Sequence, residues 1–289
     1  MCSLHGIMFE IPITNNKTNR RNKIGINRFT PSDLLKNSID YIWAIESDFL
    51  INEKREDIIM PLGHINIIFN YASDYELIED GKAILIPNTA VIGQIKSAKN
   101  VRYGKRLEQI GISLKPPGFI SLFKIPGSII TEKIIDTNEV DVTLNDLYHE
   151  IKGLNGIEQK IKRIYEYLQC KMIFDKNSER IVEMTHYIEC NCENLNICKM
   201  AEFFCISLSA LERFFKKNVG LTPKTYGDIL KFRKNIEGDE RRKNMQNYYY
   251  DQSHLLKNTK KLSGKTVNEL EDVEKELTLH YLLNSNKND

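Results

Sequence analysis

The spacing of apolar residues changes partway along the chain, and that change most narrows the folds open to it. Between about residues 41 and 115 the stretches "YIWAIES", "HINIIFNY", "AILIP", "AVIGQI" and "EQIGISLK" are short β-branched or aromatic runs bounded by Gly, Pro, Asn and Asp. Runs of this kind predict hairpins that close into a small barrel or sandwich. "PPGFISLFKIPG" then predicts a short helix opened at Pro117-Gly118 and stopped at Pro126-Gly127. From about Thr143 the period is helical to the end, with Ile157, Ile161, Ile164, Tyr165 and Leu168 recurring on one stripe. The fold class is therefore α+β: a β-rich barrel or sandwich-like domain followed by an all-α domain.

At 289 residues the chain is long enough for two domains. We divide it into an N-terminal segment (1–28), a β-rich domain (29–140), connecting helices (141–178), a helical domain (179–272) and a C-terminal helix and tail (273–289). The break falls at "DKNSER" (175–180), which is short, polar and neutral in sum. No run of 18 apolar residues is present, so no membrane span is expected. Glu10 interrupts the apolar opening, which reads as an ordinary N-terminus and implies a cytoplasmic protein.

Cysteines stand at 2, 170, 190, 192, 198 and 205. The C-x-C-x5-C-x6-C spacing departs from the paired thiols of zinc sites, so reduced thiols and no metal are expected. No P-loop, G-x-G-x-x-G after a strand, H-E-x-x-H or nucleophile elbow is found, so the chain is expected to be neither an enzyme nor a cofactor binder.

The strongest local signal is "LNICKMAEFFCISLSALERFFKKNVGLTP" (195–223). Leu195, Ile197, Met200, Ala201 and Phe204 form the inner face of one helix. "CIS" is the turn, and Ser207 is placed to cap the next helix. Leu211, Phe214 and Phe215 turn inward there, leaving Ser209, Ala210, Glu212, Arg213, Lys216 and Lys217 outside. Gly220 ends it, and Thr222-Pro223 opens another. A short helix with small polar residues at its start and lysines at its far end suits the DNA major groove.

The pattern formed by Ser207, Leu211, Arg213, Phe215, Lys216, Gly220, Thr222 and Pro223 resembles the AraC/XylS family of bacterial transcription regulators, with every spacing kept. That resemblance implies a double helix-turn-helix. "YYYDQSHLLKNTKKLSG" (248–264) is similar to the family's second unit through Tyr249, Asp251, Ser253, His254, Leu255, Lys260 and Gly264. Asp251 and Ser253 then cap a helix start, and the adjacent acid and histidine are no acid–base pair. Tyr248, Lys257, Thr259 and Val267 stand where the family has glycine, arginine, phenylalanine and proline. Thr259 is expected to give up a core contact, and the span from Arg233 to Asp251 is about four residues shorter than the family's.

The resemblance implies double-stranded DNA as partner. Ser209, Ala210, Glu212 and Arg213 would lie at base edges, Ser207 would join them as a DNA-binding residue at the helix start, Lys216 and Lys217 would hold phosphates, and Gln252, Ser253, Lys257, Asn258 and Lys260 would serve the second unit. From Ser207 to Lys265 there are fourteen basic and six acidic residues, a net of +8 in a chain of net +2. Such segregation is the electrostatic footprint of phosphate binding.

Pro31, Leu35, Tyr41-Trp43, Pro61-x-Gly63, Gly93 and the Gly111–Gly118 run are similar to a sensor-like domain found ahead of this reader in one branch of the family. A small-molecule effector there is implied, and Trp43, His64, Asn66 and Arg102 are the candidate residues. Trp43 reads equally as core and His64 as a strand-edge residue. A homodimer and contact with RNA polymerase fit the same class. A member acting through protein contacts with another regulator is the competing reading, as is an enzyme domain tethered to a reader.

Overall fold

A computed structural model describes residues 24–47, 55–72, 74–173, 175–236, 252–266 and 269. The predicted supporting helix of the second unit, beyond Ile236, and the 273–289 tail lie outside these residues, as do Tyr248, Tyr249, Asp251 and Val267. The side chains of Gln252, Ser253, His254 and Leu255 are likewise outside the description.

The β-rich part holds β1 (Ile24–Phe29), β2 (Ile39–Ser47), β3 (Arg55–Ile59), β4 (Ile65–Asn70), β5 (Tyr75–Glu79), β6 (Lys82–Leu85), β7 (Thr89–Ile92), β8 (Lys99–Tyr103), β9 (Glu108–Leu114) and β10 (Ile134–Asp136). They form two antiparallel sheets, ordered β1-β2-β9-β4-β7-β10 and β3-β8-β5-β6. The larger sheet is covered on both faces. Ile42, Ile67, Phe69 and Ile112 pack outward against helices, while Ile68, Ala90 and Ile92 pack inward against Tyr75, Val101 and Tyr103 of the smaller sheet. Two covered faces explain why β7 and β9 are buried at nearly every position rather than at alternate ones.

The helices are α1 (Pro116–Phe123), α2 (Thr143–Lys152), α3 (Ile157–Lys171), α4 (Lys176–Asn191), α5 (Ile197–Phe203), α6 (Leu208–Val219), α7 (Pro223–Ile236) and α8 (Gln252–Ser263). Leu122 of α1, Leu144 and Leu147 of α2, and Ile161, Ile164 and Leu168 of α3 close the outer face of the larger sheet. Of the stripe expected on α3, Ile161, Ile164 and Leu168 are buried, and Ile157 and Tyr165 are half-buried against the same core. Asp175 and Ser178 form a reciprocal capping box that starts α4. A second core then gathers α4 to α8 around Ile181, Met184, Leu211, Phe215, Tyr226 and Phe232, and it also takes in Ile58, Met60 and Ile120 from the β-rich part.

Candidate nucleic-acid interface

Met200 and Ala201 of α5 are buried against α6, where a small residue lets the two helices approach. The chain reverses at Cys205, which takes the left-handed conformation at φ 51°. Ser207 sits at the N-cap, and its Oγ accepts the backbone N–H of Ala210 at 3.3 Å. Leu211, Phe215 and Val219 lock α6 inward, and Asn218 donates to the carbonyl of Phe214 at 2.7 Å. Phe214 is only half-buried and carries the Arg180 guanidinium 5.1 Å from its ring centre. Gly220 closes the helix with φ 91°, and its carbonyl accepts from Thr131 of the β-rich part at 3.1 Å.

The opposite face of α6 is open. Ser209, Glu212, Arg213, Lys216 and Lys217 are exposed and Ala210 is half-buried. None of Glu212, Arg213, Lys216 and Lys217 has an ion pair among the described residues. Ser207 spends its hydroxyl on the cap, with Ser209 Oγ 3.3 Å from it.

The α8 segment packs on α7. Lys257 and Lys260 are exposed, Asn258 is half-buried, and Thr259 and Leu262 are buried. Thr259 therefore does occupy a core position, at 3% exposure, although with a smaller side chain than an aromatic. Ser263 Oγ donates to the Thr259 carbonyl at 2.6 Å, and the backbone N–H of Ala98 donates to the Leu262 carbonyl at 2.7 Å, tying α8 to the loop before β8.

The four residues singled out in the β-rich part divide. Trp43 and Asn66 line one apolar cavity of about 90 Å³ between the sheets, with Tyr41, Met60, Tyr75 and Tyr103. Asn66 accepts from Ser113 Oγ there at 2.8 Å. Tyr75 and Tyr103 stack at 4.9 Å, and burial pushes both hydroxyls up. Arg102 is not part of this site. It alternates outward from Val101 and Tyr103 and pairs with Glu76 at 2.8 Å across the strand.

His64 corrects the edge reading. It is buried at 6% exposure and lies beside Asp40 and Arg233 in a separate cleft of about 270 Å³ between the β-rich part and α7. The sequence reading missed Asp40, Arg233, Tyr75 and Tyr103. The inward parity of Tyr75 and Tyr103 is visible in the alternation of β5 and β8, whereas nothing local marks the other two.

Cys192 is buried, while Cys170, Cys190, Cys198 and Cys205 are exposed.

A family model described as a domain of unknown function (DUF6597) matches residues 27–136. No curated protein matches the chain. Among solved structures, ToxT from Vibrio cholerae is similar over 83% of this chain and 98% of its own, at 9% identity and a TM-score of 0.45. The AraC-like transcriptional activator CuxR is similar over 80% of this chain and 85% of its own, at 12% identity and a TM-score of 0.33. A ToxT structure bound to (E)-4-(8-methylnaphthalen-1-yl)but-3-enoic acid covers 76% of this chain and 95% of its own, at 10% identity and a TM-score of 0.42.

Proposed function

We propose that this chain is a DNA-binding transcription regulator in which α6 enters the major groove. The observation that carries the reading is the division of α6 into a locked face and a free one. Leu211, Phe215 and Val219 fix the helix against the second core, and Arg213, Lys216 and Lys217 face solvent without partners among the described residues. A rigid helix with unpaired cations on its outer face can exchange solvent for phosphates without first breaking an internal salt bridge. Arg213, one turn in from the capped end, is placed to reach a base edge, and Ser209 and Glu212 flank it. Lys216 and Lys217 on the last turn serve the backbone. Lys257 and Lys260 of α8 add exposed positive charge to the second unit.

The cavity beside Trp43 and Asn66 is the place for an effector. Its lining is apolar and aromatic, so an uncharged or weakly polar small molecule fits it better than an ion.

The test is selection of a binding site from random duplexes, followed by titration of wild type and Arg213→Ala. The substitution should weaken binding by about 1–3 kcal/mol and relax preference at one base position. A loss uniform over all sequences would reassign Arg213 to the backbone, and absence of any selected site would favour action through another regulator.

A further inference from the structure

The contact between the β-rich part and α7 is closed by three ionisable side chains whose hydrogen-bond geometry cannot be satisfied in one protonation state. Arg233 Nη2 donates to Asp40 Oδ2 at 2.5 Å, and Arg233 Nη1 lies 2.6 Å from His64 Nε2. The same His64 Nε2 lies 2.9 Å from Asp40 Oδ2. Arg233 stays protonated throughout, so its Nη1–H can donate to Nε2 only while that nitrogen carries a lone pair, which requires neutral His64 with its proton on Nδ1. Nε2 can donate to Asp40 only when it carries a proton, and then it faces Nη1–H as a second donor. One nitrogen cannot do both.

The local architecture holds all three groups in place. A register shift in the β2–β9 ladder between Ile39 and Tyr41 puts Asp40 at an irregularity, where a side chain can be re-aimed out of the regular alternation. Gly63, at φ 78°, turns the chain just before His64, and a Cβ on it would stand 3.1 Å from the Tyr226 ring and 3.4 Å from Leu230 of α7. The side chains of His64, Arg233 and Asp40 are 3%, 15% and 17% exposed. Burial acts to raise the Asp40 carboxyl, but His64 and Arg233 beside it hold it well below the usual carboxylate range. Asp40 is therefore ionised across the physiological range, and the proton that can move is the one on His64.

We propose that Asp40, His64 and Arg233 form a proton-operated latch that fastens the helical unit to the β-rich part. With His64 neutral, Asp40 has one cationic partner in the triad, Arg233 of α7, and the ion pair spans the two units. When His64 takes a proton from solvent, Asp40 is satisfied by a cation from its own unit. Arg233 Nη1 then loses His64 Nε2 as an acceptor and meets a like charge at contact distance. Protonation exchanges an inter-unit pair for an intra-unit pair.

The surrounding charges set the balance. Around the triad stand Tyr41, whose ring packs edge-on to His64 and beneath the Arg28 guanidinium, Lys115 at the start of α1, Glu189 of α4, and Tyr226 and Lys234 of α7. Burial, Arg233, Lys115 and Lys234 oppose the proton, while Asp40 and Glu189 favour it. The cleft these residues line gives the proton its route from solvent. The device concerns how the helices are held, independently of what α6 reads.

The test uses the full chain. Amide-exchange protection of Tyr226–Arg233, corrected for intrinsic rates and divided by that of Ile39–Ser47, is measured near pH 7.5 and near pH 5.5, either side of an ordinary histidine pKa of about 6.5. In wild type this ratio should fall about tenfold or more on acidification. In His64→Gln, which keeps a neutral acceptor for Arg233, it should not change. A ratio independent of pH in wild type, or an equal fall in the glutamine variant, overturns the latch. If that variant does not fold, imidazole ¹⁵N shifts of wild-type His64 decide. Neutral imidazole with the proton on Nδ1 at the higher pH supports the latch, and a proton already on Nε2 there refutes it.

Discussion

Trp43 lies across Gly111, its partner in the β2–β9 register, and the closeness of that approach makes a sharp prediction. A Cβ on Gly111 would stand 2.0 Å from Trp43 Cε2, 2.1 Å from Cζ2 and 2.4 Å from Nε1. Carbon atoms rest at about 3.5 Å or more, so the indole must retreat by about 1.5 Å in Gly111→Ala. The cavity of about 90 Å³ that Trp43 lines gives the ring somewhere to go. Overpacking of this kind costs about 1–3 kcal/mol. Gly111 has no left-handed φ, so alanine fits the backbone and restricts the unfolded chain, returning up to about 1 kcal/mol. The net loss should be about 1–2 kcal/mol, or a fall in Tm of about 2–8 °C. The chain has one tryptophan, so intrinsic fluorescence reads this ring alone. Gly111→Ala should shift the emission and lower the Tm together. Most of that loss should vanish when the same change is made beside Trp43→Ala. An unaltered emission spectrum, or the same loss with Trp43 removed, would refute the stacking argument.

Two further outcomes follow from the helices. DNA affinity should fall steeply with salt, with a log–log slope near −4 to −7 for roughly four to eight phosphate contacts, checked by titration between low and physiological salt. Ser207→Ala removes the oxygen that accepts from Ala210 N–H, and should lower stability by about 1 kcal/mol in urea melts while leaving the exposed cations of α6 unaltered.

Much of this architecture is legible in local pattern. Alternation and turn residues mark the strands, the apolar stripe of α3 is written at helical spacing, and the α5–turn–α6 unit is signalled by Ser207 at one end and Gly220 at the other. These features depend on neighbours a few positions away. The grouping of Trp43, His64, Asn66 and Arg102 did not survive, for two separate reasons. Arg102 fails by parity, because Val101 and Tyr103 point inward on either side of it. His64 stands two residues before Asn66 and shares its parity, but it lies ahead of β4, just past the positive-φ turn at Gly63, and meets Arg233 of α7. The pairing of Arg233 with Asp40 spans 193 residues and has no local signature at all.

That same turn links the cavity to the latch. Met60 and Leu62 line the cavity and pack against the helical core, Gly63 lies under Tyr226 and Leu230, His64 meets Arg233, and Asn66 returns to the cavity. Five of the seven positions from 60 to 66 thus touch the cavity, the latch or the helices. An occupant that displaces Met60 or Leu62 bears on the backbone that holds His64 against Arg233. Linkage is reciprocal, so an occupant whose affinity depends on the latch must shift the titration of His64 by the same free energy with which the proton shifts its binding. Coupling of about 1 kcal/mol would move the His64 midpoint by somewhat less than one pH unit. Titration of the His64 ring with and without a small apolar probe shown to occupy the cavity measures this directly. A bound probe that leaves the midpoint in place would show that the strip from Met60 to Asn66 is rigid, and that cavity and latch act on the helices separately.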